Sequence, residues 1–132
     1  MFYKQYKVKG EDVNDFMVME NCSYLYYSDD IKKAFLSESG MAQKELIKKG
    51  IKLLDKKTEI TYRNHLMFTQ EFKVYYKISF VNSDYSKMVS THYFYNANKI
   101  LCTTIHSEVV WFDFVNEKEI MPPNRFLEVF KH

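Results

Sequence analysis

Between residues 51 and 113 apolar and polar positions alternate with a period of two, and between residues 21 and 49 they recur every three or four residues. The clearest strand pattern runs over residues 70–81, where Phe72, Val74, Tyr76, Ile78 and Phe80 point one way and Glu71, Lys73, Tyr75, Lys77 and Ser79 the other. Asn82, Ser83 and Asp84 supply a turn. Residues 86–95 return as a strand, Asn96, Ala97 and Asn98 turn again, and a last strand runs over residues 100–113. Residues 51–65 form a further long strand and residues 2–9 a first one. In the first half, Tyr24, Tyr27, Ile31, Ala34 and Phe35 share one helical face, while Asp29, Asp30, Lys32 and Lys33 occupy the rest. Asn21 is expected as N-cap and Gly40 as the stop; a short helix over residues 41–49 ends at Gly50. Met121, Pro122 and Pro123 break the chain before a short C-terminal helix carrying Phe126, Leu127, Val129 and Phe130.

The order is strand, long helix, short helix, four antiparallel strands. This is an α+β pattern, and the simplest solution is a five-stranded antiparallel sheet with one face on the helix. At 132 residues the chain is expected to form a single domain, 1–132. The other sheet face is expected to carry Tyr75, Tyr93, Tyr95 and Trp111, an aromatic surface that favours association.

Composition narrows the function. Nineteen basic residues against seventeen acidic ones, interspersed, give a net charge of +2, which does not favour nucleic acid as partner. Cys22 and Cys102 lack metal-ligand spacing and follow no signal peptide, so a reducing, cytoplasmic setting is expected. No apolar run approaches the roughly 20 residues of a membrane span. His65, His92, His106 and His132 have no sequence partner at metal or triad spacing and read as satisfied or exposed histidines.

Candidate chemistry concentrates where the first strand ends, in the polar turn Glu11, Asp12, Val13, Asn14, Asp15, followed directly by the helix start. A helix N-terminus offers free N–H groups and a positive dipole end to whatever binds there. Asp12 and Asp15 each also fit a plain turn or cap role, and Cys22 a buried thiol.

The run Val8, then Asp12 to Tyr24, resembles the hot-dog fold thioesterases similar to 4-hydroxybenzoyl-CoA thioesterase. That family has a valine closing the first strand, Asp-x-Asp, a Gly and His or similar, and Asn-x-x-Tyr opening the helix. Residues 60–74, with Tyr62, fit its strand, turn and strand, and Met121-Pro122-Pro123 fits its tail, so the match covers nearly the whole chain. The resemblance implies a sheet wrapped around a long helix, a homodimer or homotetramer with sites between subunits, and hydrolysis of an acyl-CoA or acyl-carrier-protein thioester. No cofactor is implied beyond the coenzyme A or phosphopantetheine of the substrate. By position it places catalysis at Asn14, Asn21 and Asp15, with Asp12, Met17, Val18, Tyr24, Tyr62 and Arg63 toward substrate.

The departures from the family are chemical. Its second acid is Asn14 here, its Gly is Met17 and its His is Val18. An amide cannot act as a general base near neutral pH. Asn14 would therefore orient water or the thioester while helix amides around Asn21 stabilise the oxyanion, with Lys32 as electrostatic help. Otherwise Asp15, Asp12 or Glu20 supplies the base. The rival reading is a non-hydrolytic acyl-thioester binding or accessory protein; a hot-dog dehydratase would need a His and acid pair. Arg63, Lys56 and Lys57 could meet coenzyme A phosphates.

Overall fold

The computed structural model describes residues 1–130. Its elements are β1 (Phe2–Lys7), a 3₁₀ turn (Gly10–Asp12), α1 (Asn21–Glu38), α2 (Gln43–Lys48), β2 (Ile51–Tyr62), β3 (Glu71–Phe80), β4 (Met88–Asn96), β5 (Leu101–Asp113), β6 (Lys118–Ile120) and α3 (Asn124–Glu128). The strands form a six-stranded sheet in the order β1-β3-β4-β5-β2, with β6 pairing off β5. The sequence pattern thus locates the helices and five strands to within a few residues.

The sixth strand was not expected. Three residues are too few to show a period. Its cause is local: the Asp113 carboxylate accepts the Val115 and Asn116 N–H groups, each at 3.0 Å, and the Asn116 side-chain amide at 2.8 Å. This closes a turn that returns Lys118 opposite Asp113 and Ile120 opposite Trp111.

The described residues fall into two compact units. The first comprises residues 1–32, 59–77 and 91–106, the second residues 33–58, 78–90 and 107–130. In the first, β1 lies antiparallel to β3 with Tyr6 opposite Phe72 and Tyr3 opposite Tyr75. The helical face expected for α1 is real: Tyr24, Tyr27 and Ile31 are buried. Tyr24 meets Phe94 edge-on at 5.2 Å between ring centroids and Tyr27 meets Phe72 at 5.0 Å. The alternation in β3 holds as read, with Phe72, Val74 and Tyr76 inside.

In the second unit the core gathers on Phe126 of α3, which is fully buried and packs edge-on against Trp111 at 5.2 Å and against Phe80 at 6.3 Å. Trp111 corrects one expectation. It is 1% exposed and belongs to the buried face of β5 with Ser107 and Val109, not to the outward aromatic surface. The reason is parity, since odd-numbered residues of β5 from Ile105 on point inward. Tyr75, Tyr93 and Tyr95 are half-buried, and Tyr75 contacts Tyr3 and Tyr95 at 5.2 and 5.6 Å. In α2 only Leu46 is buried, while Ile47 is exposed.

Because Trp111 is core, Trp111→Ala is expected to cost about 3–5 kcal/mol in urea denaturation, against about 0.5 kcal/mol or less for a surface position.

Candidate active site

The segment between β1 and α1 is a tight hairpin laid against the chain that leaves β2. Val8 continues the pairing of β1, its N–H donating to the Gln70 carbonyl at 2.9 Å. The 3₁₀ turn follows, and then Val13 bridges Met19. Asn14 N–H donates to the Val18 carbonyl at 3.0 Å and Met17 N–H to the Asn14 carbonyl at 2.9 Å. Those bonds describe a four-residue turn, Asn14 to Met17, ending in a left-handed residue, Met17 at φ 63°. The conformation favours glycine, which is the residue that the resemblance assigns to this position.

The hairpin is held by two side chains. Asp12 is buried, and its Oδ2 accepts the Lys9 N–H at 2.9 Å and the Tyr27 hydroxyl at 2.5 Å. Asn14 Oδ1 accepts the Phe16 N–H at 2.9 Å and the Val18 N–H at 3.2 Å. These two backbone donors fix which end of the Asn14 amide is oxygen. Its carbonyl is committed to the loop, which leaves the Nδ2 donor as the other polar atom of the side chain.

The outgoing arm of the hairpin pairs with residues 66–68. Met19 N–H donates to the Leu66 carbonyl at 2.8 Å, Val18 bridges Met67, and Phe68 N–H donates to the Met17 carbonyl at 2.9 Å. Residue 65 is thereby brought beside the start of α1. There Glu20 acts as the cap, its carbonyl accepting the Ser23 and Tyr24 N–H groups at 3.0 and 3.2 Å. Asn21, expected as N-cap, is instead the first helical residue, and its side-chain oxygen accepts the Tyr62 hydroxyl. With Ser23 and Tyr24 served by Glu20, the Asn21 and Cys22 N–H groups are those that a helix start leaves without an intrahelical acceptor.

A recess of about 590 Å³ opens here, lined by Asn14, Val18, Met19, Glu20, Asn21, Cys22, Tyr62 and His65. All of them belong to the first unit. The recess combines amide donors, one carboxylate, one imidazole and one thiol. The Cys22 thiol faces the Glu20 carboxylate with Sγ 4.0 Å from Oε2.

Of the residues expected at a site, Asn14, Asn21, Val18 and Tyr62 meet at this recess. Asp15 does not line it; as a central turn residue it is exposed, beyond the hairpin tip. Met17 is 51% exposed and also outside the lining. Asp12 and Tyr24 are buried behind the wall, where Asp12 holds the loop and Tyr24 receives the Leu66 N–H at 3.4 Å. Arg63 is exposed and contributes a backbone N–H to the Cys102 carbonyl at 2.8 Å. Lys32 pairs with Asp29 at 3.8 Å, while Lys56 pairs with Glu119 at 2.6 Å and Lys57 with Glu108 at 3.5 Å.

His65 and Cys22 were read from the sequence as bland, and the recess includes both. The available signal was position: His65 follows Tyr62 by three residues, and Cys22 adjoins Asn21. The other histidines keep their bland reading among the described residues, with buried His92 bonded to the Ser28 carbonyl at 3.0 Å and His106 to Thr91 Oγ1 at 3.0 Å; His132 lies outside those residues. Cys102 is buried, as expected of a structural thiol, but Cys22 is exposed. Among the described residues no group of three or more His, Cys, Asp or Glu could hold a metal ion, and no helix is long and apolar enough to cross a membrane.

The chain matches the Thioesterase-like superfamily over residues 8–130 and belongs to it. The fold is the hot-dog α+β fold of that family, with six strands. Among solved structures, a hypothetical protein from Staphylococcus aureus in complex with CoA superposes with a TM-score of 0.85 at 17% identity, covering 99% of this chain and 82% of that one. A gentisyl-coenzyme A thioesterase superposes with a TM-score of 0.83 at 19% identity, over 96% and 99% of the two chains. A 1,4-dihydroxy-2-naphthoyl-CoA thioesterase from Synechocystis gives 0.85 at 14% identity, over 96% and 92%. No curated protein matches in sequence.

Four phenols at or near the site have raised pKa values, among them Tyr62 of the recess, raised by burial and then by Tyr24. Burial raises Tyr27, and its bond to Asp12 adds to this; burial and the 2.6 Å bond to Asp30 do the same for Tyr6. Burial also raises Tyr24, opposed in part by Thr103 and the Leu66 N–H. A phenol whose folded pKa lies above the unfolded value of about 10 adds stability that is complete below that pH and is lost as pH rises beyond it. Stability is therefore expected to fall above about pH 10. In urea titrations Tyr27→Phe should flatten that fall while lowering the neutral plateau by about 1–2 kcal/mol, because Asp12 loses a buried donor.

Proposed function

We propose that this chain hydrolyses an acyl thioester at the recess formed by the hairpin, the start of α1 and the end of β2. The observation that carries the reading is that Asn21 and Cys22, the first residues of α1, line the same recess as Asn14, a carboxylate and an imidazole. In thioester hydrolysis negative charge develops on the carbonyl oxygen as water adds. Preorganised N–H donors aimed at that oxygen stabilise it without reorganising. The Asn21 and Cys22 N–H groups at the positive end of α1 have the right character for that task. Asn14 Nδ2 donates to an oxygen of the reacting group, water or thioester, and so orients it.

Coenzyme A is the favoured carrier over an acyl carrier protein. Support comes from similar folds, which include a protein in complex with CoA and two thioesterases named for CoA substrates. Assembly as a homodimer or homotetramer is part of the proposal. It is supported by the terminal position of β2 in the sheet, which leaves one backbone edge open, and by half-buried Tyr75, Tyr93 and Tyr95. Sedimentation is expected to give a species of two or four chains.

The deciding assay is thiol release from a panel of acyl-CoA and acyl-carrier-protein thioesters by the wild type, Asn14→Ala and Asn14→Asp. Asn14→Ala is expected to lower kcat about 10²-fold or more, the usual effect of losing one such donor. It also frees the Phe16 and Val18 N–H groups and loosens the hairpin. Asn14→Asp separates the two roles, since a carboxylate oxygen can still accept both backbone bonds while the donor is gone. No turnover by the wild type on any thioester, with saturable binding of acyl-CoA, would replace the enzyme with the non-hydrolytic binder.

A further inference from the structure

Hydrolysis needs a group that takes a proton from the attacking water, and of the carboxylates expected to supply it only Glu20 lines the recess. Asp12 is taken up by the Lys9 N–H and the Tyr27 hydroxyl, Asp15 does not line the recess, and Asn14, an amide, has its acceptor oxygen on Phe16 and Val18. The Tyr62 hydroxyl donates its hydrogen bond to Asn21 Oδ1, and a phenol takes up a proton as a base only when ionised. Glu20, Cys22 and His65 remain.

We infer that His65 is the general base of the hydrolytic site. The inference rests on the hydrolytic reading above and adds the residue which that reading leaves unassigned. Two observations favour the imidazole over the carboxylate. The first is chemical: imidazole changes protonation state between about pH 5 and 8, where a base both stays free and drives proton transfer. The Glu20 carboxylate, in addition, already faces the Cys22 thiol.

The second observation is the anchoring of the backbone around His65. The Arg63 and Asn64 N–H groups both donate to the Cys102 carbonyl, at 2.8 and 3.1 Å. On the other side the Leu66 N–H donates to the Tyr24 hydroxyl at 3.4 Å, and the Leu66 carbonyl accepts the Met19 N–H at 2.8 Å. The pinned backbone fixes where the exposed His65 side chain joins the lining of the recess. Neighbouring titratable groups are Glu20 just before α1, Cys22 within it and Tyr62 from β2, with Arg63 next but one in the chain.

The step balances without any further reactant. Water oxygen bonds to the thioester carbon as the imidazole takes one of its protons, and the carbonyl electron pair moves to oxygen facing the helix amides. When the tetrahedral species collapses, the C–S bond breaks, the sulfur leaves with its electron pair, and the imidazolium returns the proton to it. The products are a carboxylic acid, which ionises, and a thiol.

The test is the pH dependence of kcat/KM for wild type, His65→Gln and Glu20→Gln on a thioester that the wild type turns over. His65→Gln is expected to lower kcat about 100-fold or more with KM changed only a few-fold, to abolish the acidic limb of the profile, and to melt like the wild type. Glu20→Gln is expected to retain the acidic limb. An active wild type whose acidic limb survives in His65→Gln, or disappears in Glu20→Gln, overturns the assignment of the base while leaving hydrolysis standing. A wild type inactive on all thioesters overturns both.

Discussion

The geometry of the site depends on a buried carboxylate that lies outside the lining of the recess. Asp12 is buried at the end of the 3₁₀ turn, with its Oδ2 shared between the Lys9 N–H and the Tyr27 hydroxyl. The first bond closes the turn; the second ties it to the second turn of α1. A buried carboxylate left without such donors would cost several kcal/mol, so the turn and the helix are constrained together. The Asp12 carbonyl receives the Glu20 N–H at 2.9 Å, which sets where the hairpin ends and the helix begins. The open amides of Asn21 and Cys22 owe their position to this arrangement.

A second constraint comes from the hairpin itself. Its turn requires a left-handed residue, and the chain supplies Met17 where glycine would be easier. The conformation persists because the surrounding bonds determine it: Met17 N–H to Asn14, Met17 carbonyl to Phe68 N–H, and the two N–H groups on Asn14 Oδ1. The same bonds carry residues 65–68 to the helix start.

Most of the fold was legible in the sequence because period and turn chemistry are local. Phe72 to Phe80 alternate, Tyr24, Tyr27 and Ile31 recur at helical spacing, and Asn, Asp and proline mark the turns. Trp111 was misplaced although its own strand carried the parity that buries it, and β6 was too short to leave a pattern. The site was legible only as a region. The sequence and its resemblance indicated Asn14, Asn21, Val18 and Tyr62, which do meet at one recess. Which atom of Asn14 faces that recess depends on backbone donors two and four residues away, and no periodicity records it. His65 lies more than forty residues from the helix start, joined to it only through the pairing of Met19 with Leu66 and of Val18 with Met67.

The division of labour within Asn14 has an evolutionary side. The oxygen that holds the hairpin is common to asparagine and aspartate, and only the other terminal atom differs. In the genetic code the two residues are one nucleotide apart. Selection for a folded hairpin therefore does not distinguish an amide from an acid at this position, and a lineage can cross between the two chemistries with its scaffold intact.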